Sequence, residues 1–299
     1  MHETGWLWAV FTLIAAASQT VRNAMQRELT KTLGTVGATH VRFLFGFPFA
    51  IVLLAGVTLA TGTAIPVPQA SYWPWIILGA GTQILATALM LAAMGERSFV
   101  VTIAYIKTEP VQVALFGLIF LGDRLSPGMI AAILIATVGV IVMSLKAGAA
   151  QGDSWRPTAI GIASGGMFAF SAIGYRGAIL SLNLPNFVMA ATLTLAIGLV
   201  LQAAVLTLYL LVREPKVMRD IIGAWRPSLF AGFMGAAASQ FWFLAFALAT
   251  AASVRTLALV EVLFAQFISH VMFGQPTSRR ELIGIVLVVA GVLLLIWTH

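Results

Sequence analysis

Lys107, Glu109 and Pro110 stand close together inside a run, Ser98 to Gly122, that is otherwise almost wholly apolar. A cation, a carboxylate and a helix breaker at this spacing suit the binding of a small polar solute, or the tying together of helices. If the segment is helical, Thr102, Tyr105, Glu109 and Gln112 recur at intervals of three, four and three and share one face. Lys107 then points about 200° away from Glu109, so the two cannot pair along a straight helix. Pro110 withholds the hydrogen bond that the carbonyl of Ile106 would accept. In lipid such a break persists only against protein or a water-filled cavity. Two readings stand. The stretch lines a transport pathway, or Lys107 or Glu109 pairs with Arg22, Arg255 or Arg176 to lock helices together.

Other apolar segments carry groups that could face it. Gln83, Thr87 and Met90 share a helical face, as do Ser164, Phe168, Ser171 and Tyr175. "SQFWF" (239–243) offers Ser239, an amide and three aromatic rings, with Trp242 a candidate ligand contact. Arg255, Leu259, Val262 and Gln266 fall along one line, and Arg255 could receive a carboxylate, with Glu261 beside it. Arg22 and Arg42 can snorkel toward an interface. Ionisable groups at the centre of a span cost about 2.5–3.5 kcal/mol each on insertion scales, so they usually face a cavity or a partner. The candidate substrate-binding residues are therefore Gln83, Thr87, Tyr105, Lys107, Glu109, Gln112, Ser171, Tyr175, Ser239, Trp242, Arg255 and Glu261, with the helix break at Pro110.

These residues need a membrane scaffold to position them. The 299 residues are 60% hydrophobic and only 9% charged, with a mean hydropathy of +0.99, where a soluble domain carries about 25% charged residues. Apolar runs of about 20 residues, enough to cross a hydrocarbon core, recur along the whole length. Pro, Gly and charge clusters divide them into ten helical spans near 5–26, 34–60, 71–95, 98–121, 126–146, 156–178, 185–212, 227–248, 251–273 and 280–297. The first run lacks the basic flank of a signal peptide and reads as span 1. The net charge of +7 lies mostly in short loops, with no basic stripe for nucleic acid. With no cysteine, thiolate zinc, Fe–S clusters and disulfides are excluded.

Shifting the second half back by 152 residues sets Glu109 on Glu261, Gly122 on Gly274, Ser126 on Ser278 and Gly139 on Gly291, and a shift of 154 sets Arg22 on Arg176. The chain thus reads as two five-span repeats, residues 1–150 and 151–299. Five is odd, so the copies are inverted relative to each other, the arrangement by which many secondary transporters hold substrate near the midplane.

"EPVQVALFGLIFLGDRLSPGMIAAILIATVGVIVM" (109–143), its echo "EVLFAQFISHVMFGQPTSRRELIGIVLVVAGVLLL" (261–295) and "HVRFLFGFPFA" (40–50) resemble the ten-helix EamA-type members of the drug/metabolite transporter superfamily. Asp123 replaces the usual Glu, and Gly274-Gln275-Pro276 carries no acid at the second position. The resemblance implies an all-α polytopic protein, ten helices in two inverted repeats around a central cavity. It also implies export of a small solute across a bacterial-type inner membrane, amino acids of aromatic or neutral type first, or toxic cations and other metabolites. A small-molecule substrate, the bilayer, a monomeric state and no cofactor, metal or nucleic acid complete the expectation. Enzyme motifs such as His-x-x-x-His or Gly-x-Ser-x-Gly are absent from the spans.

Orientation stays open. Arg27, Lys31, Arg97, Lys146, Arg156, Arg213, Lys216, Arg219, Arg226, Arg279 and Arg280 gather in the loops on one side. The positive-inside rule then puts both termini outside, whereas the resemblance implies both in the cytoplasm.

Overall fold

The computed structural model describes residues 6–96, 106–144, 156–264 and 278–298, which are helical with no strand among them. Helix α1 (Leu7–Leu44) is broken at Gly34, whose φ of 67° and ψ of 179° are not helical. α2 (Phe47–Thr61) and α3 (Tyr72–Glu96) follow. α4 (Glu109–Phe116) winds into a π turn, Gly117–Leu121, before α5 (Pro127–Ser144). The second half holds α6 (Arg156–Ser181), α7 (Phe187–Arg213), the short α8 (Pro215–Gly223) and α9 (Trp225–Leu248). α10 (Ala251–Leu257) tightens into a 3₁₀ turn, Ala258–Val260, and α11 (Arg279–Thr298) comes last.

Six stretches are long and apolar enough to cross a bilayer, and the first, Leu7–Thr61, has 55 residues and accommodates two crossings. Glu109–Leu121 and Pro127–Met143 are shorter apolar helices, and α10 with its 3₁₀ turn begins the ninth span. The protein is a polytopic membrane protein.

Local chemistry sets the ends. Asn186 caps α7 by accepting from the N–H groups of Val188 and Met189. Ser278 and Glu281 form a reciprocal capping box at α11, with Ser278 N donating to Glu281 Oε2 at 2.6 Å and Glu281 N to Ser278 Oγ at 3.2 Å. Gly122, at φ 67°, closes the π turn in the left-handed conformation that glycine adopts without strain.

Two boundaries differ from the sequence expectation. The loop expected over 27–33 continues α1, because Leu29 and Leu33 are buried while Glu28 and Lys31 pair at the exposed surface. Between the seventh and eighth spans α8 buries Ile221 and leaves Lys216 and Arg219 exposed or nearly so, an amphipathic turn too short to register as a span.

The packing has the symmetry of a duplication. The most extensive seams join α1 to α9, α3 to α6, and α5 to α11. The last two join spans 3 with 6 and 5 with 10, while α1, which covers span 1 and the start of span 2, meets span 8 through both, as at Gln19–Trp242 and Arg42–Ser239. Changing each span number by five turns 3 with 6 into 8 with 1 and returns 5 with 10 to itself, as expected of two five-span repeats related by a two-fold axis. At the α5–α11 seam Gly139 and Gly284 let the backbones touch. A Cβ on Gly139 would lie 2.7 Å from Val288 N and 2.9 Å from Gly284 O, the close approach that lets membrane helices gain packing contacts.

Candidate functional site

The broken spans meet at the centre. Ile106 is helical, Lys107 and Thr108 form a turn, and α4 starts at Glu109. Pro110 therefore stands in the first turn of a new helix, where its missing N–H costs nothing. The break expected at Pro110 is present, and the proline starts a helix instead of kinking one. The break swings Lys107 and Glu109 toward different partners, both on the other repeat. Lys107 Nζ contacts Glu261 Oε1. Arg255 Nε lies 3.0 Å from Glu109 Oε1, in an ion pair whose angles are not those of a hydrogen bond, since neither atom has a hydrogen-bond partner.

All four groups are buried, between 4% and 7% exposed. Around them stand Gln19, Arg22, Asn23, Met90, Ile106 and Phe168, enclosing about 10 Å³, room for roughly one water. The described residues at the centre close around the two ion pairs and leave no solute-sized space. One wall is aromatic: the Arg255 guanidinium lies 4.4 Å from the Trp242 ring centre and 5.5 Å from that of Phe246. Trp242 Nε1 donates to Gln19 Oε1 at 3.0 Å, which fixes the indole.

One family model matches the chain twice. The model of the EamA-like transporter family matches residues 6–145 and again 158–297. The chain belongs to the EamA-like transporter family. It is accordingly a membrane transporter of the drug/metabolite superfamily. Among solved structures, one crystal structure with 16% sequence identity superposes with a TM-score of 0.72, over 98% of this chain and 96% of that one. At that identity the likeness concerns the fold alone. No curated protein sequence matches.

In this EamA-like transporter the other candidate residues form a separate polar network. Tyr175 Oη and Gln202 Nε2 both donate to Gln83 Oε1 at 2.9 Å, linking α3, α6 and α7. Thr87 Oγ1 donates to the Gln83 carbonyl at 2.9 Å and accepts from Arg42 Nη1 at 3.3 Å, while Ser239 Oγ accepts from Arg42 Nη2 at 3.3 Å. Gln112 donates to Thr108 Oγ1 at 3.2 Å and lies against Gly165 and Gly166 of α6. Ser171 is buried, and its Oγ has no partner among the described residues. Tyr105, with Thr102 and Gln266, lies outside the described residues.

One expectation is overturned. Arg22 and Arg42 do not snorkel: each is 1% exposed. Sequence reasoning also passed over Gln19, Asn23 and Gln202. The signal was there, since Gln19, Arg22, Asn23 and Gln26 recur at i, i+3, i+4 and i+7 and mark a polar face on the first span.

A further ion pair sits apart from these two. Asp123, after the π turn, meets Arg176 at 3.3 Å, and Arg176 Nη1 donates to the carbonyls of Phe246 and Ala249 at 2.7 and 2.5 Å. The end of α4, the last turns of α6 and the end of α9 are thereby tied at one end of the bundle.

Proposed function

We propose that this transporter moves amino acids, those with aromatic or neutral side chains first among them, by alternating access. We further propose that it acts as a monomer and exports them across a bacterial-type inner membrane. The observation that carries the reading is the pair of salt bridges that cross between repeats, Lys107 with Glu261 and Glu109 with Arg255, against the Trp242 wall. The Glu109–Arg255 bridge can be opened by the two ends of a zwitterion. The substrate ammonium takes the place of Arg255 at Glu109, and its carboxylate takes Arg255 in turn. The ring face that Arg255 covers is then free for an apolar side chain, in a site that is otherwise apolar with a few placed polar groups.

Opening the bridges without a substrate would leave buried charges unpaired, which is strongly unfavourable. The empty carrier is thus held closed, and the solute supplies the groups that let the repeats part. A lipophilic cation suits the site less well, because it satisfies the carboxylates and strands Lys107 and Arg255.

Counterflow tests the proposal. Purified protein in liposomes preloaded with an unlabelled amino acid is expected to take up radiolabelled phenylalanine or leucine saturably, and Glu109→Gln to abolish it. Exchange of a lipophilic cation with no exchange of any amino acid would refute the substrate assignment.

A further inference from the structure

The crossed salt bridges leave part of the central charge unanswered. Among the described residues, Arg22, Arg42, Lys107 and Arg255 are buried there against two carboxylates, Glu109 and Glu261, so two positive charges are in excess. Arg22 Nη2 donates to the neutral Asn23 Oδ1 at 2.7 Å, while its Nε and Nη1 have no partner among the described residues. Arg42 reaches only the hydroxyls of Thr87 and Ser239 and lies 5.2 Å from the Phe43 ring centre, and its Nε too lacks a partner. Among the described side chains no carboxylate pairs with either arginine. The two meet over Gly235 of α9, where a Cβ would stand 3.1 Å from Arg42 Cγ and 3.4 Å from Arg22 Cδ. A larger residue there would push them apart.

The repeat explains how this arose. The residue that corresponds to Arg22 at a shift of 154 is Arg176, which has Asp123 as its acid. At a shift of 152 the position corresponding to Asp123 is Gln275, so the second copy of the motif supplies no acid. Guanidinium groups buried in a membrane protein without a counter-ion are costly and mark a functional site. Their forked donors match oxyanions.

We infer that Arg22 and Arg42 form an anion site that takes a small oxyanion. That group is either an acidic substituent of the transported solute or a free anion bound beside it. Arg22 lines the same closed pocket as the two salt bridges. For the solute source, the inference rests on the reading of that pocket as the solute site. The binding of an anion does not depend on it.

The test is thermal unfolding of the full chain in detergent, titrated separately with chloride, inorganic phosphate, glutamate and glutamine. The unfolding midpoint of the wild type is expected to rise saturably, by several degrees, with phosphate or glutamate, and further than with glutamine at the same concentration. Arg22→Gln and Arg42→Gln are expected to lose that rise, and Arg22→Lys to keep part of it. A rise with phosphate identifies a free oxyanion, a rise with glutamate alone identifies an acidic group on the solute, and a rise with chloride alone would overturn the oxyanion assignment. With no anion added, both Gln variants should unfold no lower than the wild type, because an uncompensated charge has gone. Equal anion responses in wild type and variants, no response to any anion, or a large loss of stability in the anion-free variants would each overturn the inference. Counterflow of neutral amino acids without anion stabilisation would remove this inference alone, and stabilisation without counterflow would remove only the amino-acid reading.

Discussion

Glu109 of the first repeat faces Arg255 of the second at 3.0 Å, and the same arginine covers the ring of Trp242. One residue therefore binds the two halves together and occludes the aromatic surface that a substrate side chain would use. Closing the carrier and hiding its site are a single contact.

Removing one partner of this pair should hurt more than removing both. Glu109→Gln strands a buried guanidinium, a loss of about 3–5 kcal/mol, whereas an apolar pair of similar volume is close to neutral. Denaturation of Glu109→Gln, Arg255→Met and the double variant Glu109→Leu/Arg255→Met in detergent checks this. The double variant is expected to be more stable than either single one, yet inactive in counterflow. Additive losses would show that the contact has no energetic role.

Trp242→Ala takes away the surface under Arg255 and the bond to Gln19. The ring is the proposed seat of the substrate side chain, whose burial is worth about 1.5–3 kcal/mol. The expected result is a KM for transport raised about tenfold, with Trp242→Phe intermediate.

The Asp123–Arg176 pair ties three helix ends at one end of the bundle. Because the chain has no cysteine, a single one can report on it. Ser171→Cys, buried in α6, is expected to react slowly with a small impermeant thiol reagent, and several-fold faster once Asp123→Asn is added. An unchanged rate would mean that the tie does not restrict access.

Gly139→Ala tests the seam between the repeats. Its Cβ would press on the backbone of α11, and overpacking of this kind costs about 1–3 kcal/mol. Gly56→Ala, where nothing lies within 4 Å, is the control and should leave the unfolding midpoint unchanged.

Much of the fold was readable from hydropathy because lipid forces each span to be long and apolar. Glu109 and Glu261 stood out as carboxylates in such spans, and their equivalence across the repeat was visible in register alone. Their partners were not. Sequence spacing showed that Lys107 and Glu109 could not pair on a straight helix, but which residue answered each depended on how the repeats dock. Arg22 and Arg42 were misjudged because an arginine near a span end can snorkel, and only packing over Gly235 shows that these do not. The amphipathic α8 and the extension of α1 past Arg27 escaped notice because neither is apolar enough to read as a span.

The central claim is that the repeats rock about the crossed salt bridges, so that the pocket faces each side in turn. Gln19, which lines the pocket, can be replaced by the protein's sole cysteine and probed in liposomes with impermeant thiol reagents applied outside or trapped inside. The account predicts labelling from both sides, increased on one side and decreased on the other by saturating substrate. Labelling confined to one side under every condition would contradict it.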